Sequence, residues 1–337
     1  MEFRESSLEG LVGMNFWNGK NVLVTGATGM VGSWLVKRLI QEKARITVLV
    51  QDHNPQSELI RSGDNNYCQV ISGDLRNRGD VSRAVFSSDC EYIFHLGAQT
   101  IVSTAIFDPV YTFETNIAGT WNLFDVVRSS KKEIKGIVVA SSDKAYGTAE
   151  VLPYDESTPL RGEGPYDLSK SCADLIARSY YMTYGIPTAI ARCGNIYGGG
   201  DLNWSRIVPG TILDLLKGST PTIRSNGKFL RDYLFVEDVV DAYLEMAKKI
   251  SDKSVNGEAF NFSREEPINV LQMYSAICTA TVGSYVEPKI LNSAKNEIID
   301  QHLSSAKARN ILEWESKIDL NKGLHATVDW YRSYLRV

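Results

Sequence analysis

Two short clusters carry the side chains best suited to chemistry: Ser142-Asp143-Lys144 and, further on, Tyr166-x-x-x-Lys170. The first puts a hydroxyl, an acid and an amine side by side. The second puts a phenol and an amine four residues apart, on one face if the segment is helical. A free phenol titrates near ~10 and is a poor base at neutral pH. A neighbouring cation favours its phenolate, so Lys170 is the expected activator of Tyr166. Ser142 is the natural holder of a substrate hydroxyl. Asp143 and Lys144 add proton-transfer capacity that a simple alcohol oxidation does not need. Read alone, Tyr-x-x-x-Lys is equally a solvated helix pair, and Asp143-Lys144 a surface ion pair.

The context upstream changes that balance. Gly26-Ala27-Thr28-Gly29-Met30-Val31-Gly32 follows the apolar run Asn21–Thr25 and precedes a segment with helical spacing at Leu35, Val36, Leu39 and Ile40. Glycines between a strand and a helix allow a tight turn, close backbone approach to a pyrophosphate and close helix–sheet packing. A dinucleotide is therefore expected at Gly26, Thr28, Gly29, Met30, Val31 and Gly32. An acid after the second strand would bind the adenosine ribose of NAD. Asp52, in Val50-Gln51-Asp52-His53, is the candidate. No arginine directly follows that strand to meet a 2′-phosphate, so NAD is expected over NADP. Asp74 and Leu75 end the third strand, where Asp74 would either meet the adenine amine or cap the helix that follows. Leu96, Ala98 and Gln99 end the fourth, where the cofactor crosses the sheet. Asn116, in the next helix, is placed to steady the catalytic loop.

The elements around these residues alternate. Ile46–Val50, Cys68–Ile71, Tyr92–Leu96 and Ile137–Ala140 read as buried strands, and Ser33–Glu42, Asp80–Phe86 and Phe113–Ser129 as helices. The pattern predicts an α/β, Rossmann-type doubly wound parallel sheet over residues 17–195. After Gly198-Gly199-Gly200 it loosens into a smaller mixed C-terminal domain, mostly 196–337, with helices at Ile212–Lys217 and Val236–Ile250. Ala189–Arg192 and Ala259–Phe262 read as strands able to rejoin the sheet.

Composition excludes several classes. The 337 residues are 43% hydrophobic and 23% charged, with a net charge of -4. That is globular, and argues against a nucleic-acid or anionic-membrane partner. No apolar run reaches the roughly 20 residues of a membrane span. Met1–Gly10 carries acids and no apolar signal core. Five scattered cysteines and four dispersed histidines form no metal-ligand spacing, so no metal is expected. A reduced cytoplasmic setting fits.

Taken together, the chain resembles the extended short-chain dehydrogenase/reductase family over nearly its whole length. The motifs are Thr25-Gly26-x-x-Gly29-x-x-Gly32, Asp74-Leu75, Leu96-Gly97-Ala98, Asn116, Ser141-Ser142, Tyr166-x-x-x-Lys170, Arg192-x-Gly194-Asn195 and Arg231-Asp232-Tyr233. Within that family it is most similar to sugar-nucleotide 4,6-dehydratases of the CDP-glucose type. Phe16-Trp17-x-Gly19-Lys20, Gly32-Ser33-Trp34-Leu35, Ser142-Asp143-Lys144-x-Tyr146 and Gly198-Gly199-Gly200-Asp201 with Arg206-Ile207-x-Pro209 carry that likeness. The segments Asn226–Tyr233 and Val48–Asp52 depart from it, which leaves the nucleotide open.

The resemblance implies a nucleotide-diphosphate sugar as substrate and a lyase reaction of deoxysugar biosynthesis. Tyr166 would take the C4 hydroxyl proton as hydride leaves C4, with Lys170 holding the nicotinamide ribose. Asp143 would protonate the departing C6 hydroxyl as C5 loses its proton, and hydride would return to C6. Lys144 stands where dTDP-glucose enzymes have a carboxylate base. It would act as a neutral base or as a cation steadying the enolate. Asn195, Arg206 and Arg231 would meet the nucleotide and its phosphates, Gln99 and Thr100 the hexose. Trp204 would line the nucleotide pocket or fill the small domain's core. The alternative is a nucleotide-sugar 4-epimerase using Ser142, Tyr166 and Lys170 alone. A redox sensor on the same fold would have no need of Tyr166 and Lys170. Apolar faces on Phe113–Val127 and Ser169–Tyr184 allow a homodimer, or a higher homo-oligomer, through a helix bundle.

Overall fold

The structure, a computed structural model, describes residues 15–293 and 298–337. The acidic Met1–Gly10 segment lies outside them. The strands are β1 (Asn21–Thr25), β2 (Arg45–Val50), β3 (Cys68–Ser72), β4 (Tyr92–His95), β5 (Gly136–Ala140), β6 (Thr188–Cys193), β7 (Asn195–Tyr197), β8 (Thr222–Ile223), β9 (Leu230–Arg231), β10 (Tyr233–Phe235), β11 (Ala259–Phe262), β12 (Ile268–Asn269), β13 (Lys289–Ile290) and β14 (Asp300–Gln301). The helices are α1 (Met30–Gln41), α2 (Glu58–Arg61), α3 (Arg78–Ser88), α4 (Val102–Phe107), α5 (Pro109–Phe113), α6 (Gly119–Ser130), α7 (Pro165–Tyr184), α8 (Ile207–Leu216), α9 (Val236–Lys249), α10 (Val270–Val282) and α11 (Leu320–Leu335).

Seven strands form one sheet in the order β11-β6-β5-β4-β1-β2-β3, all pairs parallel. The central strands are near-continuous apolar runs because both faces are covered. Leu35, Val36 and Leu39 of α1 pack with Val239, Val240 and Tyr243 of α9 on one face. Val81 and Ala84 of α3, Leu123 and Phe124 of α6, and Ala177 of α7 pack on the other. Strand order reverses at β1, so the crevice beyond the ends of β1 and β4 is the switch point where ligands bind in such sheets. β11 comes back from late in the chain to close the sheet beside β6, as its apolar pattern suggests.

The smaller region gathers α8, α10 and α11 around Ile212, Tyr274, Ile277, Leu324 and Tyr331. Its short strands include a three-stranded sheet, β12-β9-β14. Phe16 and Trp17 sit beneath the main sheet, their rings against Tyr92. The predicted helix over Phe113–Ser129 is instead interrupted. A π-helical turn over Glu114–Ala118 separates α5 from α6. Apolar spacing does not distinguish i→i+4 from i→i+5 bonding, and such turns gather at functional sites.

Candidate active site

The glycine turn is shaped by contacts that leave no room for side chains. Gly26 has φ +75°, and a Cβ there would lie 2.6 Å from the Gly97 nitrogen. A Cβ on Gly32 would lie 2.1 Å from the Gly26 oxygen. The first locks β1 against the end of β4; the second seats α1 directly on the turn. Gly29 caps α1 with no side-chain hydrogen bond. The first-turn N–H groups of Met30, Val31 and Gly32 have no intrahelical partner and suit an anionic pyrophosphate. Thr28 is half-buried beside them. The site thus fits a dinucleotide.

Other expected cofactor residues fall into place unevenly. Asp74 accepts from both Arg76 and Gln51. Burial pushes its carboxyl up, but the Arg76 bonds outweigh that and hold it below the ordinary range. Leu75 packs between Gly97 and Gly119. Leu96 and Ala98 are partly buried at the end of β4. Asp52 is exposed in the bend after β2.

Asn116 and Gln99 are turned into the protein. Asn116 is 2% exposed; its Oδ1 accepts from the Gln99 N–H at 2.7 Å, and its Nδ2 donates to the Gln99 carbonyl and to Ser169 Oγ. The Gln99 side chain bonds Ile101 and Thr112. Asn116 therefore ties the end of β4 to α7, the helix that carries Tyr166 and Lys170. Thr25 and His95 extend this brace. The Gly97 N–H donates to Thr25 Oγ1, and Thr25 Oγ1 lies 2.9 Å from His95 Nδ1. His95 Nε2 lies 3.1 Å from Thr120 Oγ1, which donates to the Asn116 carbonyl. These bonds are all satisfied by neutral imidazole with its proton on Nε2. Burial, with a smaller effect from Lys170, pushes the His95 pKa down to about 3.

Pro165 starts α7 and Gly185, at φ +68°, ends it, which fits the preference for proline at the first position and glycine at the last. Tyr166 is half-buried near the start of α7. Burial pushes its phenol up to about 12. The largest opposing influence is the Arg206 guanidinium, followed by Ser142. Lys170 is 6% exposed, and its Nζ donates to the Ala140 carbonyl at 2.9 Å. Burial lowers its pKa to about 8.

Ser142 caps a 3-10 turn over Asp143–Tyr146, accepting from the Lys144 N–H. Its Oγ donates to Asp143 Oδ1 at 3.0 Å and favours the ionised form of the nearby Tyr166 phenol. Asp143 is 2% exposed rather than half of a surface pair. Burial raises its carboxyl above the ordinary range, against the pull of Lys144, Ser142 and Arg231. Lys144 Nζ donates to Gln301 Oε1 at 2.9 Å. The turn is anchored from below: Arg192 forms a buried two-point ion pair with Asp174 and donates to the Tyr146 hydroxyl, which donates to Asn261.

Three residues expected to meet the nucleotide and its phosphates, Asn195, Arg206 and Arg231, lie late in the chain. Arg206 pairs with Asp201 at 3.0 Å and donates to the carbonyl of exposed Thr100. Arg231 is buried, and its guanidinium donates to the Leu230 and Ile299 carbonyls. Asn195 is half-buried at the start of β7. Trp204 packs on Tyr331 and Tyr334 of α11. Two of the motifs noted above touch: the Trp34 indole donates to the Gly199 carbonyl at 2.8 Å. Sequence reading missed Gln301, Ser169 and His95. Each acts through a partner far along the chain, so no local spacing marks it. Among the described residues no cluster of three or more metal-ligating side chains occurs, and no helix is long and apolar enough to cross a membrane.

A parallel dinucleotide sheet carrying Ser, Tyr and Lys at this crevice defines a short-chain dehydrogenase/reductase site. The sequence profile of GDP-mannose 4,6 dehydratases matches residues 23–327, and the chain belongs to that family of extended, NAD-dependent epimerases and dehydratases. It is 28% identical to the CDP-glucose 4,6-dehydratase of Salmonella typhimurium, across 97% of this chain and 94% of that one. The solved dTDP-glucose 4,6-dehydratase of Bacillus anthracis in complex with NAD superposes with TM-score 0.81 at 25% identity, covering 94% and 97% of the two chains. The UDP-glucose 4-epimerase of Thermotoga maritima, solved with UDP-glucose, superposes with TM-score 0.85 at 26% identity, covering 94% and 99%.

Proposed function

We propose that the chain is an NAD-dependent nucleotide-sugar 4,6-dehydratase. It would convert a nucleotide-diphosphate hexose to its 4-keto-6-deoxy form. The observation that carries this reading is Asp143: a buried carboxyl with a raised pKa, one hydrogen bond from Ser142. Burial favours the protonated form of this carboxyl, the form that can serve a departing hydroxyl as general acid. An epimerase has no step for it.

NAD, held at the glycine turn, supplies a hydride acceptor at C4 and a hydride donor at C6. The protein's residues manage the protons. Tyr166 takes the C4 hydroxyl proton, and Ser142 holds that hydroxyl. Positive charge arriving with the cofactor adds to that of Arg206 in favouring the phenolate. The Arg206 guanidinium is also a partner for the substrate diphosphate. Asp143 delivers its proton to the C6 oxygen. Lys144 attends C5, either as the neutral base that takes the C5 proton or as a cation beside the enolate while that proton passes to solvent; the pH dependence of solvent exchange at C5 separates the two.

A second reading, the 4-epimerase, is favoured by the likeness to the Thermotoga enzyme. Substrate deuterated at C4 distinguishes them. The dehydratase delivers the label to C6, whereas an epimerase returns it to C4. Exposed Trp121 on α6 and Leu175 and Met182 on α7 support a homodimer through these helices. Sedimentation of a monomer at micromolar concentration would remove that part of the proposal.

A further inference from the structure

Gln301 lies on β14, a two-residue strand of the smaller region paired with β9, where it sits opposite Arg231. It is fully buried. Its Oε1 accepts from Lys144 Nζ at 2.9 Å, across 157 positions of sequence. Its Nε2 has no hydrogen-bond partner among the described residues. Leaving a buried donor unpaired is unfavourable. Turning the amide over would put that donor against the lysine ammonium, which is worse. The orientation is therefore set by Lys144 rather than by Gln301's own surroundings. Among the described residues Lys144 has no carboxylate within salt-bridge distance, and a neutral amide leaves its charge uncompensated at that contact. Lys144 instead acts at longer range on two acids, buried Asp143 and half-buried Asp167.

We propose that Gln301 is a positioning residue: it fixes Lys144 Nζ beside Asp143 without neutralising it, so that the smaller region completes the Ser142-Asp143-Lys144 cluster. The inference rests on the dehydratase reading for what Lys144 does, but the Gln301–Lys144 link stands apart from it. A glutamate in the same place would pair with the ammonium. A shorter or apolar side chain would let the amine swing out of the cleft.

The test uses the intact protein with Gln301→Met, Gln301→Glu, Lys144→Met and the Gln301→Met/Lys144→Met double variant. Gln301→Met is expected to slow water loss about tenfold, the worth of one hydrogen bond to a charged group. KM and single-turnover C4 oxidation should stay within about twofold. The double variant should be no slower than Lys144→Met alone. Independently of turnover, reductive methylation followed by peptide mass analysis should show Lys144 modified faster in Gln301→Met and slower in Gln301→Glu. Additive losses in the double variant, or a change in KM alone, would overturn the proposal. If the wild type removes no water from any nucleotide sugar, the dehydratase reading falls and methylation decides the link: unchanged Lys144 reactivity in both variants overturns it. Should Gln301→Met not fold, Gln301→Glu carries the same test, and full activity with unchanged methylation there refutes it.

Discussion

Lys170 Nζ donates to the main-chain carbonyl of Ala140 at 2.9 Å, at the end of β5 and just before the Ser142 cluster. The lysine is thereby fixed under the crevice, and burial brings its pKa down to about 8. Below that pH it is an ammonium able to hold a ribose hydroxyl; as pH rises through about 8 it loses the proton and that capacity. The rate constant kcat/KM should therefore fall on the alkaline side of about 8, roughly tenfold per unit at the limit. Lys170→Arg, which keeps its charge, should lose that limb while being slower throughout. A profile flat to about pH 10, where a free lysine titrates, would refute the assignment.

Asp143→Asn preserves shape and removes the proton donor. Water loss should drop by about 10²–10⁴, the usual worth of a positioned acid. Single-turnover C4 oxidation should persist within about tenfold, since Tyr166 and Ser142 remain. Equal loss of both half-reactions would show that Asp143 only supports the fold.

The turn that carries Asp143 is held from beneath by Arg192, whose guanidinium is shared between Asp174 and the Tyr146 hydroxyl. Both members of the ion pair are buried. Asp174→Asn leaves a buried cation with weaker partners and should destabilise the protein by about 3–5 kcal/mol in urea unfolding. A loss under about 1 kcal/mol, as for a surface pair, would contradict this account.

Much of this molecule is legible in its sequence. The run Asn21–Thr25, the glycines that follow and the Leu35–Leu39 spacing specify β1, the turn and α1, because each feature answers to local geometry. Tyr166 and Lys170 are legible for the same reason: four residues on a helix share a face. The placement of Lys170 under Ala140, and of Arg206 as the leading cationic influence on Tyr166, is not legible. Both depend on how a later segment returns to the crevice. Asn116 is a mixed case. Its link to Gln99 and Ser169 makes it a brace, consistent with steadying the loop, but its amide is spent on the protein. Gln301 and Lys144 lie 157 positions apart, and only the packing of β14 on β9 brings them together.

The most direct measurement is a substrate panel analysed by mass. Purified protein would be given CDP-glucose, GDP-mannose, dTDP-glucose, UDP-glucose and UDP-N-acetylglucosamine with NAD, and the sugar products examined. The account predicts that one of these loses the mass of a single water and gains the alkali-induced absorbance of a 4-keto sugar. Interconversion of C4 epimers with no change in mass would contradict it, and would leave the buried acid Asp143 without a step to perform.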